Sequence, residues 1–555
     1  MDASRSQHQD ACFRALQIPE LYHMIFSLLE KKDYAKFLYV SRSTFTLMLP
    51  MIWGEADFRD ILRLIPGVTI TSGKIGCSST PEYTFTLPSV IDLSRVRVYS
   101  PVVETLTTAG SYIVRTPHEA LKSMTRAKAR PLLPNLRRLV IKRCGIAKPE
   151  HFAWIPMILH PGLLSLEMYM LRGGYVEAMD EIHAWLNRDI CFGLIDQLTR
   201  TCPRLENLHL FPSWGAIKSP VNHTSIYTKA VDLVHLIRSF KSGKTAQVPV
   251  QILGRLTFLR SLTFSGAMVH QELFLALGQL PHLETLSLRT DESQFQEKHQ
   301  EPIIIPNNSF PSLRQLDLYQ LNEYTMSRIC NIAPLFYHLV SASIMFNGKP
   351  SWYDNYYSNH IDRSEVPFAC LGANSPHVER LTVLPHGYRS SEVKLSWSIV
   401  DKLKRMPLRY LRVGTIELGP DSSSNFTSEA PQVDWPHRWE DFLSAVSQLE
   451  ELRMDTKHVS LDELWLIGSR LPKLSLLVFW QVDLRRARAP TETINATQSI
   501  VLRSWSYFGA DIAPGCPHGF WAACIPDTES SICNAARFVA SLPLKLWILS
   551  LEYIV

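Results

Sequence analysis

The sequence predicts an α/β protein in which a short N-terminal helical module is followed by an irregular solenoid of strand-and-helix repeats. Three observations support this prediction. A frame of proline and spaced leucines returns along most of the chain, helical apolar patterns precede several copies of the frame, and a compact group of apolar residues at helical spacing lies near the start. With 555 residues, of which 46% are hydrophobic, the chain can bury an extended core.

The repeat frame is a proline followed at fixed spacing by apolar residues, Pro-x-Leu-x-x-Leu-x-apolar. Strict copies begin at Pro134, Pro203, Pro281 and Pro311, and looser copies have their leading apolar residue at positions 163, 259, 378, 408, 449, 474 and 546. Leu259, Leu283 and Leu313 are separated by 24 and 30 residues. Leucine-rich repeats have periods of about 24 to 29 residues, so the longer spacings elsewhere indicate insertions or degenerate repeats. The frame therefore predicts a leucine-rich-repeat solenoid.

The proline of each copy ends the preceding helix and lets the chain enter a strand extended. Side chains alternate on a strand, so the leucines point inward and the residues between them line the concave surface, the usual binding face of a solenoid. A late copy places Leu476, Val478 and Trp480 on that surface, beside a charged copy that contains Arg453. These four residues are the predicted target-binding set, and the alternative is that residues 505–545 fold over the apolar three as a cap.

The N-terminal segment has the pattern of three short helices. Pro19 suits a first helical turn, and Leu21, Ile25 and Leu28 follow at spacings of four and three residues. Two more apolar groups follow, the first ending at Val40 and the second covering residues 45–53. A piece of this size cannot bury a sound core alone, so its surplus apolar surface must meet the rest of this chain or a partner.

This segment resembles the F-box module of the large fungal sets of F-box proteins. The resemblance spans residues 14–55 and rests on Ile18-Pro-Glu-Leu21, the helical Ile25-Phe-x-Leu-Leu29, Lys-Asp, Val40-Ser-Arg and a closing Leu49-x-x-x-Trp53. It implies docking to a Skp-type adaptor, and through that adaptor to a cullin-RING ubiquitin ligase. By position, the resemblance assigns the adaptor-binding surface to Ile18, Pro19, Leu21, Ile25, Leu28 and Val40.

Charge and hydropathy argue against several other partners. The 57 basic and 52 acidic residues leave a net charge of +5 without a long basic run, so neither nucleic acid nor a membrane surface is expected as a partner. No stretch has the length and apolar character of a membrane span, and the first ten residues lack an apolar signal core. We therefore expect the protein in the cytoplasm, the nucleus or both.

Catalytic and metal-binding patterns are absent from the sequence. The ten cysteines include no Cys-x-x-Cys pair and predict reduced thiols. The spacing of Cys516, His518, Cys524 and Cys533 fits no zinc module, and no nucleophile, phosphate-loop or metalloprotease motif occurs. No catalytic residue, metal or cofactor is therefore predicted.

The patterns divide the chain into a polar tail (residues 1–13), the F-box-like helices (14–60), a transition segment packing on the solenoid (61–130, with a loop at 69–80) and the solenoid with its C-terminal cap (131–555). The expected function is a non-catalytic substrate receptor of an SCF-type (Skp-cullin-F-box) ubiquitin ligase, with an unknown protein substrate. One alternative is a leucine-rich-repeat scaffold whose N-terminal helices only cap the solenoid and pack on residues 55–130. An enzyme on a repeat scaffold is a further alternative, and it requires a cleft of clustered polar residues.

Overall fold

The structure is a computed structural model that forms two compact units, Met1–Ser265 and Gly266–Val555. It describes residues 41–74, 81–109, 111–115, 131–143, 154–170, 185–213, 252–265, 271–289, 302–321, 323–347, 365–386, 394–413, 417–419, 435–483 and 501–504, with single positions 18, 20, 21, 24, 26, 28, 29, 33, 34, 36 and 39. The predicted polar tail, the 505–545 cap, the Cys516 group and the repeat copy at Leu546 lie outside these residues.

Ten α-helices have complete bounds within the described residues: α1 Arg42–Trp53, α2 Phe58–Arg63, α3 Ser94–Tyr99, α4 Arg188–Thr201, α5 Gln271–Gly278, α6 Glu323–Cys330, α7 Glu365–Asn374, α8 Trp397–Leu403, α9 Trp435–Ala445 and α10 Leu461–Arg470. Short 3-10 helices cover Ser100–Val102, Ile155–Met157 and Ala333–Leu335. None of these helices combines the length and the apolar character that crossing a membrane requires.

The strands described are β1 Glu55–Asp57, β2 Thr69–Lys74, β3 Pro81–Thr86, β4 Thr105–Ala109, β5 Ser111–Arg115, β6 Arg138–Arg143, β7 Ser165–Met170, β8 Trp185–Asn187, β9 Asn207–His209, β10 Phe211–Ser213, β11 Ser261–Ser265, β12 Thr285–Arg289, β13 Gln315–Leu321, β14 Ser341–Asn347, β15 Arg380–His386, β16 Lys394–Ser396, β17 Tyr410–Val413, β18 Glu417–Gly419, β19 Glu451–Ser460, β20 Leu476–Asp483 and β21 Val501–Ser504.

The first unit contains a parallel ladder in the order β1-β4-β6-β7-β9-β11. Each strand contributes one apolar residue that lies in register with its counterpart on the neighbouring strand. All six residues are buried: Ala56, Leu106, Leu139, Leu166, Leu208 and Leu262. Strands β1 and β4 lie upstream of residue 131, where the sequence frame places the first repeat. The repeat frame does not detect these two strands because neither of them follows a Pro-x-Leu sequence.

The segment predicted as a loop at residues 69–80 begins with a strand, so that prediction is wrong over Thr69–Lys74. Strand β2 pairs antiparallel with β3, and β3 pairs parallel with β5. The physical reason is local: Ile70 lies opposite the fully buried Phe85, and β-branched residues on both sides of Ile70 favour an extended backbone.

The second unit contains a parallel ladder in the order β12-β13-β14-β15-β17-β19-β20-β21. Its register row is Leu286, Leu316, Ala342, Leu381, Leu411, Leu452, Leu477 and Leu502. Side chains of this row from Leu286 to Leu477 are buried. Helices α6 to α10 contact one another in sequence order. A parallel ladder with buried leucine rows defines a leucine-rich-repeat fold.

A recurring pair of backbone bonds aligns neighbouring strands along β1 to β11 of the first ladder and β12 to β20 of the second. The carbonyl of Glu104 accepts bonds from the N–H groups of both Arg137 and Arg138, at 2.7 and 3.0 Å. Among the described residues, the same double acceptance recurs at the carbonyls of Gly54, Arg137, Leu164, Glu206, Glu284, Arg314, Val340, Glu379, Arg409 and Glu450. The register between these repeats is therefore fixed at the start of each strand, next to the buried leucine.

Candidate protein-interaction sites

The N-terminal helical module has a small core of its own. Phe26 and Met48 are buried, and the partly buried residues packed against them are Leu29, Tyr34, Leu47, Met51 and Ile52. The hydroxyl of Tyr34 donates a hydrogen bond to the Phe26 carbonyl at 2.9 Å. Ser41 caps α1 by accepting from the Thr44 N–H at 3.0 Å, which satisfies one of the free donors of its first turn.

Helix α1 connects this module to the start of the first ladder. The ring centroids of Trp53 and Tyr99 lie 4.6 Å apart, and the Gly54 carbonyl accepts hydrogen bonds from the N–H groups of Glu104 and Thr105. The N–H of Gly54 bonds the Pro50 carbonyl, and a Cβ at Gly54 would collide with that same oxygen. A glycine is therefore required where the helix meets the ladder.

Apolar side chains on this module remain open to solvent. Leu28 is 83% exposed, Met24 58% and Ile18 45%, whereas Leu21 is half-buried. The other three predicted adaptor-binding residues, Pro19, Ile25 and Val40, lie outside the described residues. If the helices served only as a cap, Ile18 and Leu28 should pack on residues 55–130, so their exposure favours an apolar docking surface on the module.

Residues between the buried leucines form what we call the open face of each ladder. In the first unit, Glu167 lies on this face with only 9% of its side chain exposed. Arg138 donates to both its carboxylate oxygens, at 2.7 and 2.8 Å. Ser165 and Tyr169 also donate to Glu167, at 2.8 and 2.7 Å, and the Tyr169 hydroxyl lies 3.3 Å from His209 Nδ1.

These donors keep Glu167 ionised. Burial alone raises the pKa of this carboxyl, but hydrogen bonds from Arg138, Tyr169 and Ser165 outweigh burial and lower its pKa from the ordinary 4.5 to about 2. The hydrogen bond to Glu167 in turn raises the pKa of Arg138. The network therefore stiffens the open face of the first unit and leaves this carboxylate unsuited to proton transfer near neutral pH.

In the second unit, the open face carries four arginines and two tyrosines on the described ladder strands from β12 to β19. The Arg289 guanidinium lies 4.1 Å from the centre of the Tyr319 ring, and Arg380 lies 4.3 Å from that of Tyr410. Arg453 approaches the Tyr410 ring at 5.9 Å. These distances are typical of cation–π contacts, which hold the guanidinium planes in place.

Asp317 is a buried acid on the same face. Gln315 donates to its Oδ2 at 3.0 Å. Burial is the main influence and raises the pKa of Asp317 from 3.8 to about 6, although Gln315 and the nearby Arg289 pull it down. Asp317 is therefore harder to ionise than an exposed aspartate.

The four predicted target-binding residues have different surroundings. The half-buried Arg453 donates to Glu451 Oε1 at 2.5 Å, and Leu476 is partly exposed. Val478 is 4% exposed, and strand β21 pairs alongside it. The side chain of Trp480 lies outside the described residues. Of the two apolar side chains described, Leu476 offers open surface and Val478 does not.

Sequence reasoning did not single out Arg380, Tyr410 or Arg412. They occupy the positions between the leucines of the copies led by Val378 and Leu408, so the alternation rule applied to every copy would have found them. Their stacking could not be predicted, because it depends on strands β15, β17 and β19 being direct neighbours.

The described residues hold no group of three or more His, Cys, Asp or Glu side chains placed to bind a metal ion. Four buried thiols lie among them, at Cys191, Cys202, Cys330 and Cys370. Burial raises the pKa of Cys191 and of Cys202, and this disfavours the reactive thiolate at both residues.

No protein-family model matches the chain, and no match was found among curated proteins. Among solved structures, the chain is similar to an internalin of Listeria monocytogenes at 14% identity and a TM-score of 0.27, covering 71% of this chain and 73% of that one. It is also similar to TLR13 in a complex with ssRNA13, at 15% identity and a TM-score of 0.26, covering 73% of this chain and 60% of that one. A leucine-rich-repeat protein of Leptospira interrogans has 11% identity, a TM-score of 0.24 and coverages of 72% and 87%. The repeat class of this chain rests on its own leucine rows and ladders.

Proposed function

We propose that this protein is a non-catalytic substrate receptor of an SCF-type ubiquitin ligase. In this proposal the N-terminal helices bind a Skp-type adaptor, and the open face of the repeats binds a protein target. The observation that carries it is the 83% exposure of Leu28, in a segment whose residue order resembles an F-box. The proposal places the protein in the cytoplasm or the nucleus.

Energetics support docking at Leu28. Phe26 and Met48 already form the core of the module, so Leu28 is not needed to complete it. Burying one exposed leucine stabilises a contact by about 1.5–3 kcal/mol. A few apolar anchors of this kind account for most of the affinity of many protein interfaces.

The test is binding of the full chain to a purified Skp-type adaptor, measured by biolayer interferometry. We expect Leu28→Asp to weaken binding by at least about tenfold, because a carboxylate would be buried in an apolar contact. Val90→Asp is the matched control: Val90 is 82% exposed, lies outside the module and should bind as wild type. Wild-type affinity in Leu28→Asp, or no binding by the unaltered chain, would contradict the proposal.

The second candidate is a leucine-rich-repeat scaffold without a link to ubiquitin. The observation that favours it is the attachment of α1 to the first ladder through Trp53, Gly54 and Tyr99, which is also what a cap requires. Under this alternative the adaptor does not bind, and deletion of residues 1–41 leaves target binding intact.

A non-catalytic role is part of the proposal. In support, Glu167 on the open face of the first unit is held by three donors and has a pKa near 2. Transfer of ubiquitin would be performed by other subunits, with this chain holding the target close to them.

A further inference from the structure

Two rows of mostly polar side chains lie at the first two open-face positions of β15, β17 and β19. These strands are direct neighbours, with Arg380 in register with Tyr410 and Glu451, and Thr382 in register with Arg412 and Arg453. Leu381, Leu411 and Leu452, which lie between these positions, are fully buried. The two rows must therefore face away from the core.

These two rows carry a net positive charge. Among their six side chains, three are arginines and one is a carboxylate: Arg380, Thr382, Tyr410, Arg412, Glu451 and Arg453. The one carboxylate, Glu451, is engaged by Arg453 at 2.5 Å. Neighbouring strands lie about 4.8 Å apart and the two rows are two residues apart along the strands, so the Cα atoms of the three arginines lie within about 12 Å of one another.

Arg380 is ready to bind an anion. Its side chain is exposed and lies 4.3 Å from the centre of the Tyr410 ring, and within the described residues it forms no ion pair. A guanidinium stacked on an aromatic ring keeps its N–H edge available for a carboxylate, with less conformational freedom to lose on binding. Arg412 and Arg453 add their charge one and two strands away.

We infer that this surface, defined by Arg380, Tyr410, Arg412 and Arg453, binds an acidic segment of a partner protein through its carboxylates. The inference rests on the proposed target-binding role of the open face and adds the chemistry of the target. The positive charges are spread over three strands, which suits a row of single carboxylates along an extended chain better than one phosphate group. The tyrosine rings already hold guanidinium groups, so they are poorly placed to stack on nucleic-acid bases.

The test uses the full chain without adaptor and a fluorescein-labelled peptide alternating glutamate and serine, followed by fluorescence anisotropy. We expect binding that weakens as salt is raised and that is absent for the same peptide with glutamine in place of glutamate. Arg380→Gln should weaken binding about tenfold, since it removes a charge-assisted hydrogen bond. Arg405→Gln is the matched control, because Arg405 is exposed in the turn after α8 and its replacement should leave affinity unchanged.

Equal affinity of the Arg380→Gln and Arg405→Gln variants would overturn the inference. It would also be overturned if a phosphoserine peptide or a single-stranded RNA bound in an Arg380-dependent way while the glutamate peptide did not. Thermal unfolding of both variants checks that they are folded. Because no adaptor is present, failure here is separate from failure of the Leu28 experiment.

Discussion

Replacing Glu167 with glutamine removes the charge that organises the open face of the first unit. The introduced glutamine would keep one acceptor but present an N–H₂ group to donors that now face a carboxylate oxygen. Arg138 Nη2 and the Tyr169 hydroxyl both donate to Oε2, at 2.8 and 2.7 Å, so at least one bond must be lost whichever way the amide points.

The structure sets the size of the effect. The fall in the pKa of Glu167 from 4.5 to about 2 corresponds to about 3.5 kcal/mol at most, because one pKa unit is worth about 1.4 kcal/mol. The Arg138 side chain is 52% exposed and can regain water when its partner changes, which reduces the loss. We expect Glu167→Gln to lower the free energy of unfolding by about 2 kcal/mol at neutral pH.

The pH dependence gives a second readout. The folded-state pKa of Glu167 lies below the ordinary value of 4.5, so its stabilisation is complete above pH 4.5 and is lost as pH falls towards about 2. Urea unfolding at neutral pH and near pH 3 should show this loss in the wild type and a smaller loss in Glu167→Gln. Glu104→Gln, at an exposed position in the same unit, is the control. Equal stability of Glu167→Gln and wild type at neutral pH would refute the reasoning.

Two further predictions concern the second unit. Leu316→Ala should lower the free energy of unfolding by about 2–5 kcal/mol in urea unfolding, because Leu316 is 1% exposed and the substitution leaves a cavity in the leucine row; a change below about 1 kcal/mol would show that the row relaxes. Asp317→Asn should raise stability at pH 7 by at most about 3 kcal/mol. The folded-state pKa of Asp317, about 6, exceeds its ordinary 3.8, so the wild type gains stability as pH falls from 6 towards 3.8, and the variant should lack that gain. A variant that keeps the wild-type pH dependence would assign the titration to another group.

The leucine frame predicted most of the ladder because each copy combines a local signal with a long-range role. The leucine that leads a copy is also the residue that is buried beside the next repeat, as at Leu136, Leu205 and Leu283. The pattern Ser460-Leu-Asp-Glu463 is a capping box, which predicts a helix start, and helix α10 does begin directly after Ser460. Features that depend on the residues of one repeat alone could therefore be predicted from the sequence.

Copies whose leucine is replaced were missed. Strand β14 carries Ala342 in the leucine row, so the sequence frame jumps from Leu313 to Val378 although Leu339 leads a repeat between them. Only the pairing of β14 with both β13 and β15 shows that alanine suffices there. The surface defined by Arg380, Tyr410, Arg412 and Arg453 was not predicted for a related reason. The stacking of its arginines on Tyr410 joins residues from three separate copies.

The double acceptance at each strand start has a consequence for how this chain can change over evolution. Leu313 and Leu339 are 26 residues apart and Leu339 and Val378 are 39 apart, yet both steps end in the same pair of N–H groups meeting one carbonyl. Alignment is set by a few atoms at the junction, so the length of the intervening chain is free to drift. Insertions can therefore accumulate between strands and diversify the surface while the ladder keeps its register.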